Sequence, residues 1–310
     1  MLPRVKITFE NGVLGSVGPS ADGVAGLACS AVAVAGKLQL ATPYLLRRLA
    51  DLADLGVNAE TTGVNAFLYK TVREFYDEAG SGAELWLMCF PQSEIQSDIV
   101  NPAKNNARAL IAAANGRLRA LAVAYRPPDG TPGVLEDGVS ANLWPAMYNA
   151  QALAEQATAE RFAPLIILLE ARGWNGVATA LRSLTEYSYN RVGVLLGDTV
   201  SALNGAGAAV GLLLGRIARI PVQRHIGRVR DGAVKSTVIF LSERKPENTD
   251  VETINDRGYI TFRTFTGKAG YYFSDDSLAT GETDDYRSLA RRRTIDKAYR
   301  IAYETLVEFL

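Results

Sequence analysis

The sequence is poor in cysteine and histidine and has no long apolar run. Its two cysteines, Cys29 and Cys89, are too few for a disulfide framework and lack the spacing of a zinc site, which favours a reduced, cytosolic chain. The longest weakly polar stretch, residues 25–36, is shorter than the roughly 20 residues of a membrane-spanning helix. No apolar stretch follows the first residues, so we expect neither a signal peptide nor contact with a membrane.

Neither sign of charge is in excess. The 33 Lys and Arg residues balance 33 Asp and Glu residues, so no global charge attracts the chain to nucleic acid or to an anionic membrane. With 48% hydrophobic and 21% charged residues, the composition is that of a folded protein with one large or two ordinary domains. Any charged interface is therefore expected to be local.

Short apolar runs alternate with helical patterns through the middle of the chain. The runs are typical of strands buried on both faces, and they are residues 83–90, 118–125, 165–169 and 192–196. The helical patterns are residues 43–55, 64–76, 103–114, 143–161, 177–184 and 203–219. Parallel strands need a crossover, usually a helix, so this order predicts an α/β fold with a mixed, largely parallel sheet sandwiched by helices.

The two ends of the chain have a different pattern. Residues 5–9 alternate like a strand and are followed by a turn at Asn11-Gly12, while residues 13–36 are small and specify little. The later elements predicted are a strand at 236–241, a charged loop at 243–253, a hairpin of 258–263 with 271–273, and a long helix at 284–310 capped by Thr283 or Asp284.

These patterns divide the chain into three parts. Residues 1–42 are predicted to form an extended N-terminal arm or a small β subdomain. Residues 43–242 are predicted to form the α/β core. The hairpin and the long C-terminal helix, residues 243–310, are predicted to complete that core.

A glycine-rich segment after the fourth apolar run offers the best case for nucleotide binding. Residues 205–211 read GAGAAVG, but the third glycine is one residue late for a dinucleotide fingerprint. Gln223, Arg224 and His225 stand where an acidic residue would be expected. A Gly/Ala-rich helix packed closely on the sheet is the favoured interpretation, and a nucleotide- or dinucleotide-binding α/β enzyme is the alternative.

Other candidate chemistry is sparse. His225 is the only histidine, so a catalytic triad or a histidine-based metal site would depend on one residue. Gly267-Lys268 lacks the remaining residues of a phosphate-binding loop. The acidic residues near the last helix lack the spacing of a calcium loop; they are Asp275, Asp276, Glu282, Asp284 and Asp285. We predict no catalytic residue, no cofactor and no metal.

The last helix divides into two faces when its residues are placed at about 100° intervals. One face is an apolar stripe, which consists of Ile295, Ala298, Tyr299, Ala302, Leu306 and Phe309. Arg293, Lys297 and Arg300 line up on the opposite side as a basic ridge. An ordinary solvated helix face is the simpler interpretation of such a ridge, and a docking surface is the alternative.

Three late segments resemble contractile tail sheath proteins of phages and of phage-like injection systems. The first, residues 255–263 (NDRGYITFR), is followed by 267–276 (GKAGYYFSDD) and by an Arg-rich helix at 286–303. Residues 84–242 agree with sheath proteins only in the layout of their elements. The resemblance is therefore most specific over residues 255–303.

The resemblance implies a structural subunit, not an enzyme. Such subunits assemble as stacked hexameric rings around a tail tube and contract by sliding to drive injection. The implied partners are further copies of the chain, the tail tube protein, and baseplate or terminator proteins. The implied location is a virion tail or a phage-like particle assembled in the bacterial cytoplasm. In sheath proteins, the contact with the tube looks like a helix and depends on complementary charge. The resemblance therefore implies this role for Arg293, Lys297 and Arg300.

Sheath proteins of this kind usually continue beyond the long helix into β structure and a C-terminal arm that adds a strand to a neighbour. This sequence ends at Leu310, within the helical pattern. We therefore expect these 310 residues alone to be mostly monomeric or weakly associated.

Overall fold

The computed structural model describes residues 21–131, 133–201, 207–246 and 248–308. The strands are β1 Ala25–Ser30, β2 Pro43–Leu46, β3 Leu85–Phe90, β4 Ala120–Ala124, β5 Leu135–Glu136, β6 Val139–Ser140, β7 Ile166–Glu170, β8 Ser188–Tyr189, β9 Val192–Leu195, β10 Phe262–Phe265, β11 Lys268–Phe273 and β12 Ala279–Thr280. The helices are α1 Leu49–Asp54, α2 Val64–Ala79, α3 Gln96–Ile99, α4 Ala107–Ala113, α5 Leu143–Arg161, α6 Val210–Arg219, α7 Asn248–Asp256 and α8 Leu289–Val307.

The central sheet has the order β2-β3-β1-β4-β7-β9. Its strands run parallel except β2, which pairs antiparallel with β3 at one edge. Leu27 of β1 lies opposite Leu87 of β3 on one side and Ala122 of β4 on the other. If the antiparallel edge strand β2 is left out and the five parallel strands are numbered in chain order, their order across the sheet is 2-1-3-4-5. This is one of the common doubly wound arrangements. The predicted largely parallel sheet is confirmed.

Helices cover both faces of this sheet. On one face, α1, α2 and α6 contribute Leu52, Phe75 and Leu213 to a buried cluster with alternate strand residues. On the other face, α3, α4 and α5 contribute side chains such as Leu110 and Met147 to a second cluster. The strands are buried on both sides, which explains why their sequences are continuous apolar runs.

Helices α2 and α6 lie unusually close together. A Cβ atom at Gly211 would lie 2.3 Å from the carbonyl oxygen of Thr71, and one at Gly215 would lie 2.5 Å from that of Phe75. The glycines are therefore required by close packing between helices. The glycine-rich segment was predicted to be a helix packed closely on the sheet, and this is confirmed only in part: α6 begins at Val210, residues 207–209 are not helical, and the close contact of Gly211 is with α2. Gly205 and Ala206 lie outside the described residues.

Three of the predicted elements take another kind of secondary structure. Residues 43–46 form the edge strand β2 because they pair with β3, and helix α1 begins only at Leu49. Residues 177–184 contain no α-helix: Ala178–Ala180 and Leu184–Glu186 are isolated 3₁₀ turns. In place of a charged loop, residues 248–256 form α7, since Val251 and Ile254 share a buried face. Of its acidic residues, Glu252 and Asp256 are exposed and Asp250 pairs with Arg244 at 3.2 Å.

The predictions for the two ends of the chain are confirmed only in part. The hairpin is confirmed as β10 and β11. The strand predicted at 236–241 is reduced to two isolated bridges, of Phe240 with Asp198 and of Leu241 with Arg244. The strand predicted at residues 5–9 and the turn at 11–12 lie outside the described residues. Strand β1 falls within the predicted 1–42 unit and pairs with core strands; the three-part division stays a prediction.

Among the described helices, none combines the length and hydropathy needed to cross a bilayer.

Candidate interaction surface on the C-terminal helix

Helix α8 begins at Leu289, five residues after the predicted cap at Asp284. Ser288 is the N-cap, and its side chain accepts a hydrogen bond from the backbone N–H of Arg291. The carboxylate of buried Asp276 fixes the same turn by accepting from Ala290 N at 3.1 Å and from Ser288 Oγ at 2.9 Å. Asp284 instead closes the preceding turn by accepting from Tyr286 N at 2.7 Å. The start of α8 is therefore anchored to the segment that follows the hairpin.

Two of the three predicted ridge residues are buried. Arg293 is 4% exposed and Arg300 is 7% exposed. Nη2 of Arg293 donates to the carbonyl oxygens of Ile217 at 2.7 Å and Ile220 at 3.2 Å, at the C-terminal end of α6. These acceptors have no partner within their own helix and lie at the negative end of its dipole, so a guanidinium there is favourable. Arg293 therefore fastens α8 to α6.

Arg300 performs the same task about two turns further along the helix. Its Nη1 donates to the carbonyl oxygen of Gly116 at 2.6 Å, and its Nη2 donates to those of Leu118, at 2.8 Å, and Pro164. These carbonyls belong to the loops that precede β4 and β7. A guanidinium has five donors in a planar fork, which suits it to several backbone acceptors at once.

The exposure predicted for the basic ridge is thus wrong for Arg293 and Arg300. Lys297 is exposed at 45% of its side chain and pairs with Asp22, Nζ to Oδ2, at 2.5 Å. Burial lowers the pKa of Arg293 to about 10, and burial followed by the charge of Arg119 lowers that of Arg300 to about 9. Both remain cationic at neutral pH. The helical wheel identified the residues that share a face but not which face is buried.

The apolar stripe of α8 is the exposed face. Ile295, Tyr299 and Leu306 are exposed at 46%, 39% and 67%, and the alanines between them are also exposed. Phe309 lies outside the described residues. At the side of the stripe, Tyr303 stacks on Phe162 with ring centroids 4.5 Å apart. A continuous exposed apolar patch flanked by polar residues is typical of an interaction surface.

The best arrangement for a metal ion is the group His225, Asp275 and Asp276. Nε2 of His225 lies 3.0 Å from Oδ1 of Asp275 and 3.5 Å from Oδ1 of Asp276. However, Nδ1 of His225 already accepts a hydrogen bond from the backbone N–H of Gly227 at 3.0 Å. The neutral ring must then keep its proton on Nε2, which leaves no lone pair there for a metal. The group is better described as an ion pair between two loops.

This pair predicts a pH dependence of stability. The hydrogen bond to Asp275, together with the charge of Asp276, raises the pKa of His225 above its usual 6.5. Burial alone would raise the pKa of Asp275, but hydrogen bonds from His225 and Ser277 hold it at about 2. A raised histidine pKa contributes stability that is complete below pH 6.5 and is lost above the folded-state pKa. A lowered aspartate pKa contributes stability that is complete above 3.8 and is lost toward pH 2.

We expect His225→Gln to lower the thermal unfolding midpoint at pH 5.5 and to change it little at pH 9. The loss at pH 5.5 is below about 1 kcal/mol, because the imidazole is partly exposed and solvent screens the pair. Midpoints measured from pH 5 to pH 9 for both proteins provide the check. A difference that stays constant across this range would contradict the ion pair.

The carboxyl edge of the sheet is the place where doubly wound proteins bind nucleotides. Here a cavity of about 170 Å³ is lined by residues that include Lys70, Arg126 and Asp198. Three cations line it, and each has partners. Lys70 contacts Glu74 at 3.0 Å and Asp198 at 2.5 Å, and Arg126 contacts Asp129 at 2.9 Å. Arg172 donates to the carbonyl oxygen of Tyr125 at 2.6 Å and lies 3.9 Å from Glu170. Each described cation of this cavity is thus already engaged, and nucleotide binding stays a prediction that no described contact favours.

Glu170, at the end of β7, explains part of the electrostatics of this edge. The side chain is fully buried, and burial raises its pKa to about 7. Its carboxylate accepts a hydrogen bond from Tyr125 N at 3.0 Å and approaches Arg172 at 3.9 Å. These contacts join the ends of β4 and β7 and account for the polar residue at the end of an otherwise apolar run.

The fold and the surface define a doubly wound α/β protein whose final helix is held by buried arginines and turns an apolar face outward. The chain belongs to the DUF2586 family, since the DUF2586 N-terminal domain matches residues 2–277. Comparison with curated protein sequences gives no match.

Two solved structures share this fold. A chain of the anti-feeding prophage (AFP) baseplate, studied by cryo-EM with six-fold symmetry, has a TM-score of 0.64 and 15% identity over 100% of this chain and 77% of that chain. A chain of an extracellular contractile injection system, the PVC sheath complex in the contracted state, has a TM-score of 0.58 and 13% identity over 99% of this chain and 74% of that one. At these identities the likeness shows a common fold.

Proposed function

We propose that the chain is a structural component of a contractile injection system. The observation that carries this proposal is the fold likeness along the whole chain to components of two such assemblies. The resemblance of residues 255–303 to tail sheath proteins supports the same function from the sequence. Together they favour a role in assembly over catalysis, and no cofactor is required for it.

Within that class, the proposed role is that of a sheath subunit. Stacked hexameric rings of the protein would surround a tail tube and contract to drive injection. Its proposed partners are further copies of itself, the tail tube protein, and baseplate or terminator proteins. Its proposed location is a virion tail or phage-like particle assembled in the bacterial cytoplasm.

The exposed face of α8 is the proposed assembly surface. Exposed apolar side chains such as Leu306 gain free energy when a partner removes them from water, by about 25 cal/mol for each Å². Arg293 and Arg300 contribute indirectly, because they hold the helix in place from below. The proposed tube-facing charge is retained for Lys297, which reaches solvent.

We expect the double variant Tyr299→Glu, Leu306→Glu to abolish assembly of the complete protein while leaving its folding intact. Both side chains are exposed, and such substitutions usually change the free energy of unfolding by less than about 0.5 kcal/mol. Negative-stain electron microscopy, which shows hollow cylinders or rings, measures assembly, and circular dichroism measures folding.

The matched control is Val134→Glu, which places a charge at another exposed apolar residue, 74% exposed and before β5. This variant should assemble like the wild type. Normal cylinders from the α8 double variant would show that its outer face is not an assembly surface. The absence of any cylinder from the complete wild-type protein would count against the sheath role itself, whereas monomers of residues 1–310 alone are the expected result.

A further inference from the structure

A small cavity beneath α8 is surrounded by cationic side chains. Its volume is about 10 Å³, which is the space that a single water-sized occupant requires. The charged residues that line it are Asp22, Arg119, Arg293, Asp296, Lys297 and Arg300, and Pro164 and Val222 complete the wall. The cavity is thus bounded by four cations and two carboxylates.

The two lining carboxylates are shared among several cations. Asp22 acts on both Arg293 and Arg119, and from outside the cavity Asp276 acts on Arg293 and Glu304 on Arg300. Asp296 also accepts hydrogen bonds from Arg191 at 2.9 Å and from Arg292 at 2.9 Å, and neither of these lines the cavity. Asp22 pairs with Lys297. The guanidinium groups of Arg293 and Arg300 donate to backbone carbonyls, which are neutral. The four lining cations therefore outnumber the two lining carboxylates, and the two buried ones, Arg293 and Arg300, hold their charge where water has little access and charge is costly.

Two donors of these arginines also lack a hydrogen-bond partner among the described residues. They are Nη1 of Arg293 and Nε of Arg300, and both atoms are buried. A buried donor without an acceptor costs about 1–3 kcal/mol, and more when the group is charged. The excess charge and the unused donors come from the same two side chains, and both side chains border the cavity.

We propose that this cavity binds one small monovalent inorganic anion of the size of chloride. A water molecule could satisfy the unused donors but could not offset the excess positive charge. An anion can do both, and the apolar wall formed by Pro164 and Val222 suits a weakly hydrated ion. The bound anion would join α8, the end of α6 and the loop before β4. This inference is independent of the proposed function, because it concerns how α8 is held.

The first test compares thermal unfolding of the whole chain in sodium chloride and in sodium gluconate at equal ionic strength. Gluconate is too large for the cavity, whereas chloride that binds only the folded protein raises the unfolding midpoint along a saturating curve. Equal midpoints in the two salts at every concentration would overturn the proposal.

Two neighbouring substitutions should move the chloride affinity in opposite directions. Asp22→Asn removes a negative charge and should tighten the apparent dissociation constant by about tenfold, whereas Arg119→Met should weaken it by about tenfold. The matched control, Lys104→Met, removes an exposed cation elsewhere and should leave the constant unchanged. A merely structural role for these side chains would not give opposite shifts. Shifts of the same sign, or none, would refute the site.

Crystals grown in sodium bromide give a readout that does not depend on variant folding. We expect an anomalous bromide peak between Arg293 and Arg300. A water molecule in that place, without an anomalous signal, would overturn the proposal even if the Arg119→Met protein failed to fold.

Discussion

Replacement of Glu78 by glutamine is expected to lower the free energy of unfolding by about 3–5 kcal/mol, because it leaves a buried arginine without its counter-ion. Glu78 and Arg216 are 0% and 1% exposed, and Nε of Arg216 lies 3.0 Å from Oε2 of Glu78. The same carboxylate accepts from the backbone N–H of Lys235 at 2.5 Å, so it also joins α2 to the segment after α6. Urea denaturation measures the loss.

A double-mutant cycle gives the control for this prediction. Glu78→Gln combined with Arg216→Met should cost less than the sum of the two single substitutions, because no unpaired charge remains in the double variant. The matched exposed pair is Arg126 with Asp129, where Asp129→Asn should cost less than about 1 kcal/mol. If Glu78→Gln cost no more than Asp129→Asn, burial would not govern the energetics of this pair.

Gly215→Ala is expected to destabilise the protein by at least about 2 kcal/mol, although alanine is the better helix former by about 1 kcal/mol. The added Cβ would lie 2.5 Å from the carbonyl oxygen of Phe75 and 2.8 Å from Cβ of Glu78, so α6 must move away from α2. The unfolding free energy from denaturant titration gives the magnitude.

Two further glycines provide a second test of this prediction and its control. Gly211→Ala should be similarly harmful, because its Cβ would lie 2.3 Å from the carbonyl oxygen of Thr71. Gly133→Ala is the matched control: nothing lies within 4 Å of its added Cβ, and the change should be nearly neutral. A stabilised Gly215→Ala protein would mean that helix propensity outweighs the close contact between the helices.

The local sequence pattern was sufficient to predict secondary structure where one periodicity dominated a long segment. Helix α5 occupies residues 143–161 as predicted, and β3 coincides with the apolar run before Pro91. The local pattern was insufficient where contact with a segment distant in the sequence decided the secondary structure. Residues 43–46 are extended because β3 offers them an edge, and residues 248–256 are helical because Val251 and Ile254 meet the core.

The resemblance to sheath proteins correctly indicated a fold that components of injection systems share. The search for catalytic motifs contributed nothing to that prediction. The signal for the buried arginines was present but ambiguous. Arg293 and Arg300 are seven residues apart and therefore share a face of α8. Nothing in that spacing says whether their partners are water, a neighbouring protein or the carbonyls of the same chain.

The sequence by itself determined that α8 has two unlike faces, because helical geometry fixes which residues share a side. Only the tertiary structure decided that Arg293 and Arg300 turn inward, while Lys297 and the apolar stripe reach solvent. The reason is that the acceptors come from far along the chain: the loop carbonyls of Gly116 and Pro164 and the end of α6 at Ile217 converge beneath the helix. Because these oxygens accept hydrogen bonds from Arg293 and Arg300, the two guanidinium groups lie beneath the helix, and the apolar stripe is left at the surface.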